Sequence, residues 1–103
     1  MIGKGTLPST SGNIDGSAVP ANHVRVVKAI TLCNVNASSR WVNILLGGIT
    51  VLYQYRVPGV GGENTITIPF MDQVLQAGDR ITGQAQTAGS IHYYISGREV
   101  DVS

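Results

Sequence analysis

Three kinds of side chain in this sequence could carry covalent or metal chemistry: one cysteine (Cys33), two histidines (His23 and His92) and six carboxylates. A thiol beside an imidazole makes a nucleophile and its base. Cys33, however, lies in the apolar run Ile30-Thr31-Leu32-Cys33. That setting reads as a small buried hydrophobe rather than the accessible, electropositive surroundings of a reactive thiol. Zinc asks for three or four Cys, His or carboxylate ligands, and one cysteine with two distant histidines is a poor supply. His92 sits opposite the apolar face of its strand and reads as a solvent or interface residue. Two carboxylates can hydrolyse a glycoside, but those here have simpler roles. Asp79 suits the turn Ala77-Gly78-Asp79, Glu63 follows a glycine pair, and Asp101 lies near the end of the sequence. The Gly-rich stretch 59–62 lacks the Lys-Ser/Thr and helix of a phosphate loop and reads as a flexible loop. No catalytic residues, cofactor or metal ligands are expected, and the chain reads as non-enzymatic.

The aromatic residues are the remaining chemistry. Trp41, Tyr53, Tyr55 and Tyr94 could form either a sugar-stacking platform or part of a core or oligomer interface. The second reading is the simpler one, because Tyr53 and Tyr55 alternate with polar residues and Tyr93 alternates with Ile91 and Ile95.

Short strands must position these groups. Residues 24–34 read as a strong strand with both faces largely apolar, hence central and covered twice. Residues 41–46 and 49–56 read as a hairpin closed by Gly47-Gly48. Residues 65–69, 80–87 and 91–96 follow as strands, with an extended end over 99–102. Residues 70–76 read as a helical turn or irregular crossover, with Met71, Val74 and Leu75 facing inward. The expected fold is all-β: a single small β-sandwich or jelly roll of six to seven strands over residues 23–103.

Residues 1–22 differ. Gly3, Gly5, Pro8, Gly12, Gly16 and Pro20 interrupt any regular element. This segment reads either as a flexible tail or as an extended N-terminal arm that buries Leu7, Ile14 and Val19 on a neighbour. Leu7, Pro8, Ile14 and Val19 of the arm, with Trp41, Tyr53, Tyr55 and Tyr94, are the expected interaction residues.

Composition bounds the partners. Charged residues make up 13% of the chain, against about 25% in an ordinary soluble domain. So little charge leaves a surface poorly suited to standing alone in water, and predicts self-association. The net charge is +1 with the basic residues scattered, so no nucleic-acid groove is expected. No apolar run approaches the ~20 residues of a membrane span, and the first residues carry no leader-like apolar stretch. Synthesis in a reducing cytoplasm is the simplest expectation.

Four segments carry a resemblance: Gly5-Thr6-Leu7-Pro8-Ser9-Thr10-Ser11-Gly12, Val27-Lys28-Ala29-Ile30-Thr31-Leu32-Cys33-Asn34, Val74-Leu75-Gln76-Ala77-Gly78-Asp79-Arg80-Ile81 and Ile95-Ser96-Gly97-Arg98-Glu99-Val100. Taken in order, they resemble small β-sandwich structural proteins of tailed bacteriophages. The resemblance implies a virion component made in the host bacterial cytoplasm. It further implies a capsid decoration or cement protein acting as a symmetric homo-oligomer, a trimer, on the major capsid protein. The close alternative is a head–tail connector or tail accessory protein. From another class, the aromatic residues leave a carbohydrate-binding or receptor-binding module as the competing expectation.

Overall fold

The β4–β5 hairpin shows how local signals build this fold. Gly47 and Gly48 take φ of 57° and 83°, the left-handed pair that a two-residue turn requires and that glycine adopts without steric cost. The flanking strands β4 (Arg40–Leu46) and β5 (Ile49–Val57) pair from Leu46↔Ile49 to Arg40↔Val57. Alternation along β4 buries Val42, Ile44 and Leu46, the period-2 pattern of a sheet covered on one face.

The computed structural model describes residues 2–102, and their side chains except at 70–72. Eight strands are present among the described residues. Besides β4 and β5 they are β1 (Gly3–Thr6), β2 (Gly12–Asn13), β3 (His23–Asn34), β6 (Thr65–Leu75), β7 (Ile81–Ala85) and β8 (Ile91–Asp101). They form two antiparallel four-stranded sheets, ordered β1-β8-β3-β6 and β2-β7-β4-β5. The partners are nested: β1 with β8, β2 with β7, β3 with β6, β4 with β5. A strip of four nested antiparallel pairs folded into two facing sheets is a jelly roll, one of the two all-β architectures expected.

Two strands beyond the expected count come from the N-terminal segment. It is neither a tail nor an arm reaching outward. β1 closes one edge of the first sheet and β2 the same side of the second. Leu7, Ile14 and Val19 sit in the chain's own core with Val27, Ile30, Leu32, Val42, Ile44, Ile81, Ile91 and Ile95. The physical reason is the pairing: Leu7 N–H donates to Ile91 O, and Ile14 N–H to Ile81 O, both at 2.9 Å. These long-range partners supply what the Gly- and Pro-broken segment cannot supply locally.

Two further expectations are corrected. Residues 70–76 contain no helical turn, since β6 runs through to Leu75. Leu75 is buried but Val74 is exposed, and the side chain of Met71 lies outside the described residues. Strand β3 is central, yet it is not covered twice. A bulge at Lys28, between Val27 and Ala29 in both of its pairings, reverses which face points inward. Before it Arg25 and Val27 are buried; after it Ile30 and Leu32 are. The inward face is thus switched halfway, although Val26, on the other face before the bulge, is also buried.

Candidate interaction surface

Of the eight expected interaction residues, the structure places four on the N-terminal segment. Leu7, Ile14 and Val19 are buried and unavailable to any neighbour, and Pro8 is half-buried. A buried charge cluster anchors this segment. The Asp15 carboxylate accepts from Arg25 Nη1 at 2.7 Å, from Arg80 Nε at 2.9 Å and from Ile81 N–H at 2.9 Å. Arg25 also donates to Ser17 O at 2.8 Å and to the Glu99 carboxylate. Each oxygen of a carboxylate removed from water is thereby matched by a donor. Beside it, Tyr93 donates its hydroxyl to Ile14 O at 2.8 Å. Burial, and secondarily the Asp15 charge, raise the Tyr93 hydroxyl above its ordinary pKa. A groove of about 460 Å³ runs past Ile2, Ser17, Arg25 and Glu99, but Arg25 and Glu99 are already paired with each other.

The four aromatics do not form one platform. Trp41 is half-buried on β4, in register with Arg56. Tyr53 and Tyr55 lie on β5. Tyr94 lies on β8 in the other sheet, between Lys4 and Thr31 in register. Along β5 four apolar residues are exposed: Ile49 is 70% exposed, Val51 41%, Tyr53 73% and Tyr55 42%. They do not share one face, because Ile49 and Tyr55 stand in register with the inward Leu46 and Val42 and two bulges intervene. β5 is an edge strand, and its pairing with β4 shifts register twice, after Val42 and after Ile44. At the first shift Gln54 takes φ 49°, and its N–H donates to the Asn43 side-chain oxygen at 2.6 Å. Such bulges interrupt the row of free backbone groups that would let an edge strand recruit another strand. β6, the edge of the other sheet, closes the same side only in part: its Ile66 and Ile68, like Leu52 on β5, pack against the core but stay partly buried.

Other residues weighed for chemistry take structural positions. Asp79 accepts from Gln76 N–H at 2.9 Å and closes the expected turn. The stretch 59–62 is tied down at Val60, whose N–H donates to Asn36 O at 2.9 Å, while Val60, Gly61 and Gly62 stay exposed. Cys33 is half-buried on the outer face of its sheet rather than in the core, in register with His92 on β8 and Thr65 on β6. Its register partners thus include an imidazole, and no carboxylate stands in register with either to orient it. No group of three or more Cys, His, Asp or Glu that could hold a metal occurs among the described residues.

Asp15 and Arg25 escaped sequence reasoning. They look like ordinary scattered charges, and only Asp15's position between two apolar points, Ile14 and Val19, hinted at burial. Compared with family models, with curated proteins and with solved structures, the chain finds no match.

Proposed function

We propose that this chain is a structural protein of a bacteriophage virion. Its most specific form is a capsid decoration or cement protein that acts as a homo-oligomer, a trimer, on the major capsid protein. The observation that carries this reading is the number of exposed apolar residues on the edge strand β5, on a chain with little charge elsewhere to compensate for them. Exposed apolar surface of this kind marks contact sites on soluble proteins. The eight-stranded jelly roll adds support by analogy of fold, since viral capsid domains use it, as do lectins and cupins. The sequence resemblance points the same way. The mechanism is additive: each contact is modest, and many symmetric copies on one shell convert modest contacts into lasting attachment.

A carbohydrate-binding or receptor-binding module is the reading from another class. It asks for clustered aromatic stacking groups, and Tyr94 stands on the opposite sheet from Trp41, Tyr53 and Tyr55.

Native mass spectrometry of the purified chain tests the proposal. A trimer supports cement-type decoration and directs the next experiment to capsid shells. A larger ring moves the reading to a neck or tail component. A monomer at all concentrations, together with tryptophan fluorescence that responds to glycans, overturns the structural reading in favour of the binding module.

A further inference from the structure

We draw no further inference here: the strongest candidate, the exposed apolar residues Ile49, Val51, Tyr53 and Tyr55 of the edge strand β5, carries none, because they do not share one face and nothing in the structure shows what covers them.

Discussion

Asp15 and Arg25 meet at 2.7 Å with their side chains almost completely removed from solvent, and this pair joins the N-terminal segment to the middle of the first sheet. Through its other contacts, to Arg80 and the Ile81 amide, the same carboxylate reaches the second sheet. One short side chain therefore fastens three parts of the chain. A buried ion pair is not a strong source of net stability, but losing one partner strands the other in a dry site.

Asp15→Asn keeps the shape and removes the charge, leaving Arg25 with Glu99 alone as its ionic partner. The expected loss is about 3–5 kcal/mol, read as a lower urea midpoint with an unchanged slope. A loss below about 1 kcal/mol, the scale of an exposed pair, would show that the cluster contributes no more than a surface contact.

Removal of residues 2–16 separates the arm expectation from the folded N-terminus. A free arm could be deleted without harm to the body. Here the deletion strips an edge strand from each sheet and removes Leu7 and Ile14 from the core. The truncated chain is expected to lose its cooperative unfolding transition. The single change Leu7→Ala should cost about 2–5 kcal/mol, and thermal melts that leave either variant at the parent Tm would contradict the placement.

Much of this was legible in advance, and the difference is instructive. The hairpin at Gly47-Gly48 and the strands β3, β4, β5, β7 and β8 follow from alternation and turn residues, which act over a few neighbouring positions. The strand β6 was legible only to Pro69, because its continuation lacks clean alternation. The exposed residues of β5 were half legible: Tyr53 and Tyr55 stood out as candidates, whereas nothing singled out Ile49 and Val51.

Tyr93 makes part of the chain's stability depend on alkaline pH. Its hydroxyl is protonated in the fold above the ordinary tyrosine value of 10.0, first through burial and then through Asp15. The folded state therefore holds this proton more tightly than the unfolded one. The stability linked to it is fully present below about pH 10 and is lost as pH rises through the raised native value. Absorbance titration near 295 nm should show an ionisation above the ordinary tyrosine value that belongs to Tyr93. Tyr93→Phe should remove that late step and flatten the decline of stability above about pH 10.

Gly97 and Gly83 test how tightly the two sheets are built. A Cβ on Gly97 would lie 2.2 Å from Val26 O, a backbone atom, whereas one on Gly83 would meet the ends of the Leu7 and Ile14 side chains at 2.9 and 3.0 Å. Side-chain ends can shift, and a paired strand cannot do so without breaking its ladder. Gly97→Ala is therefore expected to cost more than Gly83→Ala, with the latter within the roughly 1–3 kcal/mol of overpacking. Equal losses in parallel urea titrations would contradict this ordering.

The sequence by itself determined the all-β class, the hairpin and the inner face of most strands. Each is written in residues two to four positions apart, where pleat and turn geometry act. Only the tertiary structure decided that the N-terminal segment belongs to its own core. Strands of four and two residues between glycines and prolines carry no period, and β8 and β7, some seventy to ninety residues away, supply their partners. The tertiary structure also decided which apolar residues are core and which are surface. Leu7 and Ile49 are alike in hydropathy, but one lies between two sheets and the other on an outer edge. Burial depends on what the rest of the chain places opposite a residue, and alternation along one strand does not specify that.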